Sequence, residues 1–310
     1  MTIPIVISFN DNFTIPAGVC LTSLCINANP ETIYDVFVLH SSSRLSNENK
    51  ELIKKLEEQY ENISIKFIDV KNEFKESYEV RNVTIESYYR LLIPNIFKDK
   101  KKVIYLDIDT IVKIDLSKLY NTDLKENCLA GVPEFVEKAE VFQQKHIISL
   151  SLSPKDYINA GILVFNLKKI RAEINIFNKK VSDLSKLKLM YQDQDILNII
   201  FKDDIQHLEH KYNYSYQKLI DGLVCDAPAI IHYTMDKPWN TPRPFGDVWW
   251  HYYKKSNFYK REYYLNYQAE AFKDIGSHLK LGQLLKKLGL YHIITLKNYF
   301  IFLFKSHKLK

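Results

Sequence analysis

Two aspartates separated by one apolar residue, Asp107-Ile108-Asp109, follow directly on the run Lys102–Leu106. If that run is a strand continuing through the triplet, both carboxylates point to one face and Ile108 points into the core. Carboxylates held so close repel each other unless a cation lies between them. Oxygen donors of this kind suit Mg or Mn, which also bind diphosphate oxygens. A solvated strand end gives the same pattern, so the triplet alone admits both readings.

Three further groups could take part. His232 ends the short run Ile-Ile-His-Tyr and reads either as a ligand or as a satisfied core histidine. Gln192-Asp193-Gln194-Asp195 opens a helix-like segment, where it could hold sugar hydroxyls or cap the helix through Asp193. The chain has eight glycines and neither a GxGxxG nor a Walker loop, so backbone amides are poorly placed to cradle phosphate. A bound nucleotide diphosphate would instead need a metal and cationic side chains, for which Arg90 and Lys237 are candidates as well as ordinary surface charges.

The elements that must position these residues alternate. Pro4–Phe9, Val36–Leu39, Ile63–Val70 and Lys102–Leu106 read as strands. Between them fall a helical stretch around Ala17–Ala28, an amphipathic helix over Asn47–Tyr60, and a helix over Glu86–Leu92 that stops before Pro94. This order predicts an α/β fold with an open, twisted, mostly parallel sheet flanked by helices. In such sheets ligands bind beyond the carboxyl ends of the strands, where Asn10-Asp11-Asn12 and Asp107–Asp109 both fall. Farther on, Ala160–Phe165 and Ala229–His232 are strand candidates and Asp195–Phe201 a helix.

The 310 residues, 46% apolar, suffice for a large core without disulfides. Cys20, Cys25, Cys128 and Cys225 show no metal-like spacing and read as buried, reduced residues. No secretory signal pattern opens the chain, and the apolar stretch Tyr299–Phe304 is far below the roughly 18 residues of a membrane span. The net charge of +6 sits in the tail: from Gly276 onward there are seven lysines and no acid. There Leu281, Leu284, Leu285 and Leu288 recur at helical spacing among Lys280, Lys286 and Lys287. This basic amphipathic pattern fits an anionic membrane surface, or a helix docked on the protein's own core. Its apolar face and the lack of a nucleic-acid motif argue against nucleic acid. The expected division is a catalytic domain over residues 1–245 and an aromatic, basic extension over residues 246–310. The expected location is cytoplasmic, attached peripherally to the inner face of the membrane.

Six ordered segments together resemble family 8 glycosyltransferases, which include glycogenin and bacterial lipopolysaccharide glucosyl- and galactosyltransferases. They are Ile5–Phe13, Ser87–Leu92, Val103–Val112, Asn159–Lys168, Tyr191–Leu197 and His232–Trp239. The closest resemblance is to the lipooligosaccharide alpha-galactosyltransferase branch. The resemblance implies a GT-A fold, a UDP-hexose donor, Mn or Mg, and transfer to a glycan or glycolipid with retention of configuration. It implies metal ligation by Asp107, Asp109 and His232, and donor contacts from Ser8, Asn10, Asn12, Arg90, Ile108, Asn159, Ala160 and Lys237. Asp193 and Gln194 match the residues beside the anomeric carbon, and Phe13, Phe135 and Tyr191 are candidates for stacking on an acceptor sugar. Two positions depart from the pattern. Asn10 stands where relatives often have aspartate, and Thr234-Met235-Asp236 replaces a loop that usually carries glycine.

Two rivals bear on the same residues. A phosphatase of the haloacid dehalogenase type also opens on an apolar strand and DxD, but there the triplet follows the first strand. Here three strands precede it, and position 111 is isoleucine where that motif has threonine. A binding module that kept the fold and lost turnover is the other; the intact acidic pair and His232 weigh against it.

Overall fold

In the computed structural model, the described residues are 1–79, 84–134, 141–235 and 237–290, together with Leu296. The apolar runs form strands β1 (Thr2–Ser8), β2 (Ile33–His40), β3 (Ile63–Asp69), β4 (Lys102–Leu106), β5 (Thr110–Val112), β6 (Leu129–Pro133), β7 (Ile158–Asn166), β8 (Ile205–His207) and β9 (Ile230–His232). Seven of them make one sheet in the order β3-β2-β1-β4-β7-β6-β8, and β5 pairs with β9 in a second.

From β3 to β4 the sheet is parallel, as the alternation of strands and helices requires. β7 then runs antiparallel to both β4 and β6. The strand order reverses direction between β1 and β4, which opens a crevice at their carboxyl ends. Because β7 is reversed, its first residues arrive at that same edge. The architecture is an α/β fold, a mostly parallel sheet flanked by helices.

Local rules explain most elements. The helix Thr14–Ile26 is buried along nearly its whole length and carries few polar residues. The Ser46 hydroxyl accepts from the Asn49 N–H at 3.3 Å and caps the helix Asn47–Lys54. That helix breaks at Lys55, so the single helix expected over Asn47–Tyr60 is two, the second being Leu56–Gln59. Pro94 also differs from expectation. The helical path continues past it, through a 3-10 turn over Ile85–Leu92 into Ile93–Ile96. Pro94 sits in the first turn of that helix, where its missing N–H costs nothing.

The chain divides into two compact units. The first holds residues 1–238 and Arg243–Phe258, so the helix Gly246–Lys255 lies within it and not in the extension. The reason is burial: Trp249, Trp250, Tyr252 and Tyr253 are all buried, with Trp249 stacked on Tyr253 at 5.3 Å. Phe258 closes over Gly18 of the helix Thr14–Ile26, where an added Cβ would fall 2.1 Å from the ring. The second unit contains the helix Arg261–Lys287, in which Leu281 and Leu284 are more than half exposed and Leu285 is partly buried. Among the described residues no helix is long and apolar enough to cross a membrane. All four cysteines are free; Cys20, Cys25 and Cys128 are buried, while Cys225 is only partly so.

Candidate active site

The aspartate pair converges, although not on a continuous strand. β4 ends at Leu106, the triplet turns as a bend, and β5 begins at Thr110. The bend is fixed by the Thr110 hydroxyl donating to the Asp107 carbonyl at 2.7 Å, and by the Asp107 N–H donating to the Gly161 carbonyl at 2.7 Å. Ile108 is buried in this bend all the same. β9 pairs with β5 so that His232 faces Thr110, which brings the imidazole to the acidic pair. Gly161, at the near end of β7, makes room: a Cβ there would lie 2.2 Å from the His232 ring.

Each aspartate has one oxygen anchored and one presented. Asp107 Oδ1 accepts from Arg90 Nη2 at 2.8 Å and from the Tyr105 hydroxyl at 2.9 Å. Its Oδ2 faces His232 Nε2 at 3.8 Å. Asp109 Oδ2 is paired with Lys237, and its Oδ1 lies 3.2 Å from His232 Nε2. One ligand atom from each of the three residues falls within 4.8 Å of the others. Two carboxylate oxygens and an imidazole nitrogen form a donor set that fits a divalent cation of the Mn or Mg class. Burial alone would raise the Asp109 carboxyl, but the Lys237 ammonium beside it overcomes that and holds the group well below the usual range.

Arg90 is the bracket beneath this cluster. It is buried, pairs with Asp193 Oδ2 at 3.0 Å, donates to the Ser87 and Ala160 carbonyls and lies over the Tyr105 ring. Burial pushes the Asp193 carboxyl up to about 6, and the Arg90 charge offsets part of that rise. Asp193 does not cap its helix. That task falls to Asp195, whose Oδ2 accepts the Tyr191 N–H at 2.9 Å.

A family model described as glycosyl transferase family 8 matches residues 4–242, the stretch that carries every group named above. The chain belongs to family 8. Among curated proteins, this family 8 glycosyltransferase is 29% identical over 268 residues to general stress protein A of Bacillus subtilis, covering 78% of the chain and 90% of that protein. It is 27% identical over 245 residues to lipopolysaccharide 1,3-galactosyltransferase of Salmonella typhimurium, covering 74% of the chain and 71% of that protein. Two further curated relatives are matched over about half of their own length. Among solved structures, galactosyltransferase LgtC in complex with donor and acceptor sugar analogs matches with a TM-score of 0.71 and 27% identity, over 84% of the chain and 99% of that protein.

The other residues singled out in the sequence of this family 8 glycosyltransferase take the following positions. Ser8, at the end of β1, donates to the Glu86 carbonyl at 2.7 Å and lies 3.1 Å from the Tyr105 hydroxyl. Asn10 Oδ1 accepts the Asn12 N–H at 3.1 Å, and its amide donates to Glu86 at 2.9 Å. Glu86 is also paired with Arg44, so a carboxylate in place of Asn10 would meet a second carboxylate. Asn159 and Ala160 sit at the mouth of β7, where Gln194 Oε1 accepts the Ala160 N–H at 3.0 Å. Asn12 is exposed and Phe13 half-buried in the loop after β1. Tyr191 packs beside His146, ring centres 5.5 Å apart. Phe135 and Asp236 lie outside the described residues. In the loop after His232, Met235 takes a φ of +64°, the left-handed region that favours glycine.

Sequence reasoning missed two groups of the family 8 glycosyltransferase. Asn213 Oδ1 lies 2.9 Å from His232 Nδ1, on the side of the ring away from the aspartates. Glu134 has a buried carboxylate oxygen with no hydrogen-bond partner among the described residues, and burial raises its carboxyl despite Lys218 and Asn159. Neither belongs to a local pattern; the acid directly after β6 is the one signal that could have pointed to Glu134.

Proposed function

We propose that this chain transfers galactose or glucose from a UDP-hexose to a glycan or glycolipid, with Mn or Mg held by Asp107, Asp109 and His232, and with retention of configuration. The observation that carries the reading is the convergence of two half-anchored carboxylates and an imidazole at the point where the sheet order reverses. When bound, the divalent ion supplies Lewis acidity to the leaving diphosphate. Ser8, Asn10, Asn12 and Ile108 border the uridine, and Arg90 keeps Asp107 and Asp193 oriented. Lys237, paired with Asp109, is the cation for the departing phosphates.

Asp193 and Gln194 line the hexose beside the anomeric carbon, with Asn159 and Ala160. The transition state has oxocarbenium character, as in glycoside hydrolysis. Asp193 is tied to Arg90, and the Gln194 carbonyl is occupied by the Ala160 N–H, so neither is free as a nucleophile. This favours attack by the acceptor hydroxyl on the face the diphosphate leaves, its proton passing to a departing phosphate oxygen. Phe13, Phe135 and Tyr191 are the acceptor-side aromatics.

The name of the Salmonella relative supports an acceptor of the lipopolysaccharide class. The exposed leucines and lysines of the helix Arg261–Lys287 support docking on an anionic inner membrane face, where such acceptors are built. Full-length protein with Lys280, Lys286 and Lys287 changed to Glu should sediment less with anionic vesicles than the wild type does. A donor screen with mass detection of transferred sugar tests the activity. Transfer from UDP-galactose or UDP-glucose is expected; none from either would defeat the reading. The strained loop at Met235 favours one second reading, a binding module without turnover, for which UDP-hexose would bind and no UDP be released.

A further inference from the structure

The two ends of an asparagine amide differ in that one donates and the other accepts, and the neighbours decide which is which. At the mouth of β7 the neighbours leave no choice. The Gly161 N–H donates to Asn159 at 2.9 Å, so the receiving atom is Oδ1. Asn159 Oδ1 also stands 2.7 Å from Asn213, so the Asn213 atom facing it is Nδ2. The opposite end of Asn213 is then Oδ1, 2.9 Å from His232 Nδ1. An oxygen there can only accept, so Nδ1 carries a hydrogen; in the neutral ring that leaves the lone pair on Nε2.

We propose that Asn213, oriented by Asn159, is a positioning residue that locks His232 in the Nδ1–H tautomer and presents the Nε2 lone pair to the cleft between Asp107 and Asp109. The consequence for metal rests on the proposed metal-dependent function; the tautomer itself does not. All four partners are set in place. Asn159, Asn213 and His232 are buried, and buried Lys218 donates to the Asn213 carbonyl at 2.8 Å, fixing the backbone from which the amide projects. A ligating histidine is generally held by a hydrogen bond on its other nitrogen, and loss of that partner weakens metal binding. Without an acceptor at residue 213, the proton has reason to move to Nε2, where it blocks coordination.

The test uses the full-length protein labelled with 15N-histidine, recorded metal-free at a pH where the ring is neutral and again with Mg2+. His232 is expected to show a protonated Nδ1 and a bare or metal-bound Nε2; a protonated Nε2 in the wild type overturns the proposal. In parallel, Mn2+ affinity is measured for the wild type, Asn213→Leu and Asn213→Asp, each checked for folding by circular dichroism. Asn213→Leu should lose about 10–100-fold. Asn213→Asp, which keeps an acceptor facing Nδ1, should lose less. Wild-type Mn2+ affinity in Asn213→Leu contradicts the relay and leaves the metal reading standing. A wild type that shows the Nδ1–H tautomer but no Mn2+ affinity contradicts the metal reading alone.

Discussion

His232 Nε2 stands 3.2 Å from Asp109 Oδ1, although the two residues come from opposite halves of the chain. The pairing of β5 with β9 makes the approach, and the absence of a side chain at residue 161 permits it. Neither a lone histidine nor an acidic triplet is a metal site by itself; the fold makes them one.

Gly161→Ala therefore tests the geometry without touching a ligand. Its Cβ would overlap the imidazole, so the ring must move off the aspartates. Mn2+ affinity should fall about tenfold or more, read by calorimetry, while the circular dichroism spectrum stays close to that of the wild type.

Arg90→Ala should cost stability more than its single charge suggests. The guanidinium bridges Asp107 and Asp193 within a buried region, and its loss leaves two carboxylates uncompensated. Breaking a buried ion pair from one side costs about 3–5 kcal/mol, which urea unfolding would detect. Arg90→Lys should recover only part, because a single ammonium cannot reproduce the fork that meets both acids.

Asp193 gives the molecule a signature in pH. Its carboxyl is pushed up to about 6 by burial, against roughly 3.9 in an unfolded chain. Between those values the native state holds a proton that the unfolded state has released, so this residue's contribution to stability falls as pH rises through the window. The stability of the wild type relative to Asp193→Asn should thus be greater near pH 4 than at pH 7. The difference is on the order of 2–3 kcal/mol, measured by denaturant unfolding at both pH values.

Much of this was legible in the sequence, because apolar periodicity and short polar motifs are local. The four parallel strands, the acidic triplet, His232 and the helix at Gln192–Phe201 all lie in continuous segments that announce themselves. The reversal of β7 did not, since an apolar run has the same pattern in either direction. The three-residue strands β5, β8 and β9 are too short for a period to show; only the apolar run before His232 marks β9. The sequence pattern points Arg90 toward a donor, while the structure also gives its nitrogens protein partners, which only tertiary placement reveals. Asn213 is an asparagine between two tyrosines, and nothing local marks it.

The most direct measurement of the central claim is UDP release from UDP-galactose and UDP-glucose, with Mn2+ and with chelator, in the wild type and in Asp109→Asn. Release from at least one donor should require Mn2+ and drop to background in the variant. Equal release with chelator present, or undiminished release by Asp109→Asn, would contradict a metal held by the paired aspartates and the imidazole.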